Sequence, residues 1–506
     1  MQRFARSSTG KMLMMALIDE SRKYEAAGLI RRYMRHELAC LMLDTDDTLI
    51  TDSGSALEHS YNEKNSSEAR RCCHGALVRD IYSQELVMLK GPVILAFGGM
   101  NGLFPSETTG TVTNSADAAA LCFIQGIRFS NLEMIQYHPT TISIAGKRCL
   151  VSEAARGEGG RLFVMRDGSP WHFMEELHPE MGNLSPRDVV AREMFFVARG
   201  TTSLESTKRS CKGNAIVDNA EVDKSDPGND GAVDQIWLDM RHLSKDVWDE
   251  KLPDLRKEII HYLGIDPSKE PVPVEPGIHY FMGGIDVDTH HRTSAEGLYA
   301  AGECCSQYHG ANRLGGNSTM GAIYGGYAAA KDICTNFKAI ENVINEQACA
   351  QHDITFGEMG FAAAPLQPEY DHMAQKLKTI LMQSMGIVRE EETLLKALAQ
   401  IRSVLQNVPE AEPYDPQYPG TGTKAEEYSK YNICKKYDQR IIARFLLAQA
   451  MLESAVLRKE SRGAHFRSDH PETKECFRGM TVCEYINNRN GNLQDGFINT
   501  WFRESV

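Results

Sequence analysis

Short apolar runs that end abruptly on glycine constrain this chain more than any other feature. In "GPVILAFGG" the run Val93–Phe97 stops at Gly98–Gly99, and glycine there lets another group approach the backbone closely. Alone, that would read as a tight turn. Strand and glycine signals return over 278–303, however, ending in "GLYAAGE". Directly afterwards "GNSTMGAIYGGYAAAKDI" predicts a helix capped by Asn317 or Ser318. Its small residues would let it pack close to a sheet or to a flat ligand. Strands leaving through glycine into such a helix are the marks of an α/β fold.

The chain has 506 residues, so more than one core is expected. Its net charge is −13 with no long basic run, which argues against nucleic acid as a partner. An acidic exterior would not draw in a small dianion either, so such a ligand needs a local cluster of Arg and His. The 13 cysteines include the pairs Cys72–Cys73 and Cys304–Cys305 but no C-x-x-C. That pattern speaks against a disulfide framework and against a zinc or iron–sulfur site, metal ligation included, and for a reducing, cytosol-facing compartment. No apolar run approaches the ~18–20 residues of a membrane span, and the N-terminus is not a clean signal peptide.

Residues 8–30 read as a helix with Ser8 or Thr9 as cap and Met12, Met15, Leu17 and Ile18 along it. Strands are expected at "HELACLMLD" and "LVMLKGPVILAFGG". From 132 to 277 the chain changes character, with dense Arg, Glu and Gly, then a polar stretch over 206–232 that reads as an exposed loop. Beyond 339 the chain reads as largely helical. There Ile441, Phe445, Ala448, Leu452 and Ala455 predict one buried helix face, and "PEAEPYDPQYPGTGT" interrupts as a proline-rich connection.

Five segments place a guanidinium or imidazole beside glycine or proline: "YHPTT" with His138, "SEAARGEGG" with Glu153 and Arg156, "LSPRDVVAR" with Arg187, "GIHYFMGG" with His279, and "HGANRLGGNST" with His309 and Arg313. Each has a plain explanation alone. His138 beside Pro139 reads as a turn or a core histidine, and Arg187–Asp188 as a charge pair at a helix start, with Ser185 as cap and Pro186 as first residue. Together they suit carboxylate recognition, because planar guanidinium forks bind carboxylates bidentately and imidazole donates to the same oxygens.

The order "QYHPT", "EAARGEGG", "PRDVV", "LDMRHL", "GIDPSKEPVPV", "HYFMGGI", "GLYAAGE", "HGANRLGGNS" and "ESRGAHFRSD" resembles the flavoprotein subunits of fumarate reductase and succinate dehydrogenase, with L-aspartate oxidase a near relative. The resemblance runs from near residue 1 to about 471, and "GGMNGLFPSETTG" and "STMGAIYGG" look closest to fumarate-reductase-like proteins of anaerobes. It implies an FAD-binding domain of the glutathione-reductase-like type over 1–131 and 278–338. A capping α+β domain over 132–277 and a helical C-terminal region over 339–506 complete the α/β + α architecture. It further implies interconversion of fumarate and succinate, hydride passing through flavin N5. Arg187 would be the proton donor, re-protonated through Glu153 and Arg156. His138, His279, Arg313 and Ser152 would hold the C4 dicarboxylate, Ser152 standing where the family usually has Thr. Gly98, Gly99, Asp117, Glu303, Asn317, Ser318 and Thr319 would face FAD, the last three through a helix N-terminus directed at the flavin.

Departures from the pattern accompany the match. Nothing before residue 90 reads as a strand, a G-x-G-x-x-G turn and a helix. Phe97, Ala116 and Phe281 stand where the family has Thr, Gly and Thr. The expectation is therefore a chain lacking the first βαβ unit, which by itself binds FAD weakly or not at all. A misassigned start, a second chain carrying the missing half, and a decayed non-enzyme are the three explanations. An iron–sulfur subunit is a further expected partner, and the expected location is the cytoplasm or the inner face of the membrane. L-aspartate oxidase activity and a silent dicarboxylate-binding or assembly role are the alternatives.

Overall fold

The computed structural model describes residues 9–43, 71–203, 233, 235–349, 368–407, 439–487, 493 and 496–504. The polar stretch 206–232 and the proline-rich connection 409–423 lie outside them. The chain opens with α1 (Thr9–Ala26), β1 (His36–Leu43), β2 (Cys73–Asp80), β3 (Leu86–Lys90), β4 (Val93–Leu95), α2 (Asp117–Ile124) and β5 (Phe129–Ser130). Next come β6 (Ile135–Ile144), β7 (Lys147–Leu150), α3 (Ala154–Gly157), β8 (Arg161–Arg166), β9 (Ser169–Trp171), α4 (Phe173–Leu177), α5 (Arg187–Val197), β10 (Ile236–Asp239), α6 (Pro253–Leu263) and β11 (Val272–Phe281). The rest comprises β12 (Gly284–Ile285), β13 (Leu298–Ala300), α7 (Asn317–Cys349), α8 (Pro368–Ser384), α9 (Glu391–Gln406), α10 (Gln439–Leu457), β14 (Gly479–Ile486) and β15 (Phe497–Glu504).

Four sheets organise these elements. β1-β2-β3 is an antiparallel layer, and β4 pairs in parallel with β13 alone among the described residues. The expected strand Val93–Phe97 therefore ends two residues early, at Leu95. A six-stranded sheet runs β7-β6-β11-β10-β8-β9, with Val190, Met194 and Val197 of α5 packed against Leu162, Val164 and Leu238 beneath it. The fourth sheet, β12-β5-β14-β15, adds two strands to a C-terminal region expected to be largely helical. Strand β14 returns to pair with β5 and carries β15 on its other edge, so the end of the chain is tied into its first third.

Helices α8, α9 and α10 build the main core with α2. Along α10 all five predicted positions are buried, but so are Ala443, Leu447, Ala450 and Met451 on the other faces. The helix is a core element enclosed on all sides, which the one-face reading understated. The first helix ends at Ala26 instead of residue 30, because Gly28 turns the chain left-handed at φ +75. Its apolar residues face outward, Met12, Met14 and Met15 being 48%, 50% and 54% exposed. Part of α7 is similar, with Met320 and Tyr327 61% and 63% exposed, while Ala329 packs on Tyr299 of β13. Among the described residues, no helix is long and apolar enough to cross a membrane.

Candidate active site

Two neighbouring strands start the site. His138 does not lie in a turn: it sits inside β6, where Pro139 and Thr140 are accommodated by a register shift against Glu275–Gly277 of β11. A second shift, between Ile278 and Tyr280, leaves His279 as the bulged residue. The bulge re-aims His279, and the two imidazoles meet edge to face at 5.2 Å.

Both rings are neutral, His138 fully buried and His279 half-buried. Burial, then the charges around it, pushes His138 well below the usual range; burial followed by Arg313 and Arg187 brings His279 down to about 3. Nδ1 of His138 lies 3.2 Å from both the Thr140 amide nitrogen and the Thr140 carbonyl oxygen. The amide can only donate, so Nδ1 accepts from it and the ring proton sits on Nε2. Nε2–H is buried and has no partner. It is a donor awaiting an oxygen. On His279, Nδ1 is 2.7 Å from Thr109 Oγ1.

Arg187 opens α5, with Pro186 at the N-cap position and no side chain capping the helix, so the expected Ser185 cap is not formed. Instead of pairing with Asp188, Arg187 donates from Nε and Nη2 to Glu153 at 3.1 and 2.7 Å, and from Nη1 to Gln136 Oε1 at 2.9 Å. Arg156 donates to the same Glu153 at 3.0 Å and to Asn183 O at 2.6 Å. Burial works upward on the Glu153 carboxyl, but the Arg187 hydrogen bonds and the charges of Arg187, Arg156 and Arg313 hold it below its ordinary value. The three groups form a continuous guanidinium–carboxylate–guanidinium chain. A Cβ at Gly315 would fall on Glu153 Oε2 and within 3.3 Å of Arg187 Nη2, so glycine is required for that approach.

Arg313 completes the cluster. Its guanidinium lies 4.5 Å over the ring of Tyr280 and is 4% exposed, and no hydrogen bond or ion pair holds it among the described residues. Burial, then Arg187, lowers it to about 10. Gln136 ties the two arginine segments together. Fully buried, it donates from Nε2 to Arg313 O at 2.7 Å and to Asn312 Oδ1 at 2.8 Å while accepting from Arg187. The sequence reading passed over Gln136 although "QYHPT" contains it; its amide could have been suspected only from the density of charge nearby. Tyr280 and Thr109 gave no signal. Ser152 caps the turn that follows it, its Oγ accepting from Ala154 N–H at 3.3 Å. His309 lies beside Tyr280 at 5.2 Å, with Nε2 buried and unpartnered.

The residues expected to face a cofactor fall in two groups. Gly98 (φ +81), Gly99 and Glu303 meet: a Cβ on Gly99 would lie 2.5 Å from Glu303 Oε1. The Glu303 carboxyl accepts one bond, from Phe281 N–H at 3.1 Å, and burial lifts it to about 7 against that bond and Arg313. Asn317, Ser318 and Thr319 form the first turn of α7, Asn317 exposed and the other two half-buried. Asp117 stands apart, at the start of α2, where it accepts from Arg444 Nε at 2.6 Å and Ser115 Oγ at 2.7 Å. A half-buried carboxyl with unused acceptor capacity and a helix N-terminus fit the polar edge of a flavin. No G-x-G-x-x-G occurs in the sequence.

Comparisons with known proteins give the family and the fold of the chain. A family model described as "FAD binding domain" matches residues 1–319, and one described as "Fumarate reductase flavoprotein C-term" matches 435–494. The chain is 29% identical over 477 residues to the succinate dehydrogenase flavoprotein subunit of Bacillus subtilis, covering 93% of itself and 71% of that relative. It is 31% identical over 394 residues to L-aspartate oxidase of a Nostoc species, covering 76% of itself and 61% of that protein. A solved quinol–fumarate reductase with menaquinol molecules superposes with a TM-score of 0.66 at 22% identity, over 99% of this chain and 77% of that one. That likeness is one of fold.

Proposed function

Because this chain belongs to the FAD-dependent flavoprotein family of fumarate reductase, succinate dehydrogenase and L-aspartate oxidase, we propose that its Arg/His pocket binds a C4 dicarboxylate and serves the interconversion of fumarate and succinate. The observation that carries this reading is Arg313, a buried cation with no hydrogen bond or ion pair to its guanidinium among the described residues, on which Glu303 and Glu153 act only through space. Burying a charge unpaired costs several kcal/mol, a cost that a ligand carboxylate removes. His138 Nε2–H is a buried donor lacking an acceptor among the described residues, and His279 is the adjacent neutral imidazole.

FAD, when bound, supplies or accepts the hydride; Gly98, Gly99, Glu303 and the first turn of α7 are the residues that would hold it. Asp117 has its own partners and contributes through α2. Arg313, His138 and His279 fix the dicarboxylate and neutralise its charge. Arg187 gives the proton to the substrate carbon in fumarate reduction. A guanidinium rarely gives up a proton, so prompt return matters, and Arg156 and Glu153 are already in hydrogen-bond contact to provide it. The six-stranded layer with residues 132–277 is the proposed capping domain, whose movement would gate the pocket.

Partners in this reading are an iron–sulfur subunit or a chain that completes the FAD site, and the location is the cytoplasm or the inner face of a membrane. The test is reduction of fumarate by an artificial low-potential donor, using chain supplied with FAD. R187Q should lose about 10²–10⁴-fold in turnover with little change in fumarate affinity. An R187Q variant as active as the parent overturns the assignment. Oxidation of L-aspartate by the same preparation, without fumarate reduction, would select the second reading, which the 31% identity to L-aspartate oxidase favours. Fumarate binding without any turnover would select the silent dicarboxylate binder.

A further inference from the structure

Asn312 sits between the two halves of the pocket and uses both ends of its amide. Its Nδ2 donates to Asp188 Oδ1 at 2.6 Å, and its Oδ1 accepts from Gln136 Nε2 at 2.8 Å. Asp188 is the residue after Arg187 in the first turn of α5, and Arg313 is the residue after Asn312. One side-chain bond thus joins the backbone carrying the proton donor to the backbone carrying the anion-binding guanidinium. The joint has a rigid backing. Ala311 O accepts from Ala464 N–H at 2.9 Å, and Gly463, at φ +56, lies so close that a Cβ would stand 2.5 Å from Ala311 O. The 311–313 tripeptide is held from behind, so what can adjust is its side-chain bonding in front, to Gln136 and, through Asn312, to Asp188 on α5.

We propose that Asn312 is a positioning residue that couples seating of the six-stranded layer to placement of Arg313, so that proton donor and carboxylate grip come into register together. The inference rests on the reading of Arg187 and Arg313 as opposite sides of one dicarboxylate site. The chemistry favours an amide here: Asp188 supplies only acceptors and Gln136 Nε2 only donors, and asparagine satisfies both at once. An aspartate at 312 would still accept from Gln136 but would set two carboxylates at hydrogen-bond distance.

The experiment is a charge-and-role swap. In N312D, backbone amides of 309–315 and of the start of α5 should exchange hydrogen faster, and fumarate affinity, by calorimetry on the full chain, should fall at least tenfold. In D188N/N312D the amide and carboxylate trade places, Gln136 keeps its acceptor, and both readouts should return to within about threefold of the parent. A residue needed only for folding would alter the melting temperature without this reversal. The proposal is overturned if the double variant is as impaired as N312D, or if N312D changes neither readout. Should the parent chain bind no fumarate, the dicarboxylate reading fails on its own account. The exchange data, collected without ligand, then still decide the coupling: acceleration in N312D with reversal in the swap upholds it, and no reversal ends it.

Discussion

At the scale of single residues, the pocket trades stability for function, and Arg313 shows the trade most directly. It is buried over Tyr280 with no ion pair to meet it among the described residues. Replacing it by an apolar side chain of similar length removes an uncompensated charge from a half-apolar wall. R313M should therefore melt higher than the parent, by about 1–3 kcal/mol of added stability, while losing measurable fumarate binding. Thermal denaturation beside calorimetry checks both signs; a less stable R313M would mean that Arg313 is already paired in the protein. Glu303 makes the second residue-scale prediction. Burial raises its carboxyl from 4.5 to about 7. Between those pH values the unfolded chain has released a proton that the folded chain still holds, so stability declines as pH rises through that window. E303Q should abolish this part of the slope, measurable as a flatter dependence of denaturation midpoint on pH between about 4.5 and 7. The positions of Arg187, Glu153 and Arg156 were legible from the motifs. The roles of Gln136 and Tyr280 were not, since a buried amide and a tyrosine face acquire meaning only from what folds against them.

At the scale of elements, bulges and glycines decide where side chains point. Simple alternation along β11 would have placed His279 opposite Tyr280, but the register shift turns His279 toward His138 while Tyr280 backs Arg313. Pro139 likewise signalled a turn in the sequence and proves to sit in a bulged strand, because the partner strand absorbs the missing ladder bond. Gly315 gives a test at this scale. A methyl group there collides with Glu153 at its contact with Arg187, so either the 313–316 loop or the carboxylate must yield. G315A is expected to cost about 1–3 kcal/mol in the coupling of these parts, read as a tenfold or greater loss of fumarate turnover with the far-ultraviolet circular dichroism unchanged. Parent-like kinetics in G315A would show that the loop can shift freely. Helix α10 taught the reverse lesson: its heptad-like apolar spacing was visible, yet α2, α8 and α9 enclose it on faces that spacing alone left open.

At the scale of the whole molecule, the site lies where the six-stranded layer, the strand pair β4–β13 and the start of α7 meet. The parallel portion comprises only two strands among the described residues, and α1 and α7 carry exposed apolar side chains near it. Gly10 of α1 comes within 3.9 Å of Thr319, measured from a Cβ position. A pyrophosphate-binding glycine turn is absent from the sequence. FAD titrated into the 506-residue chain, followed by flavin fluorescence, should accordingly bind in the micromolar range or weaker; sub-micromolar affinity would show that the residues present suffice. From the sequence by itself came the family, several of the elements and the chemical types of the site residues, because glycine exits, helix caps and guanidinium-rich motifs act through neighbours close along the chain. Tertiary structure alone decided that Glu153 bridges two arginines, that Arg313 makes no ion pair among the described residues, and that Asn312 spans the gap. Those are contacts between segments up to 177 residues apart, such as Gln136 and Arg313, and local propensity carries no information about which distant atom fills a given direction in space.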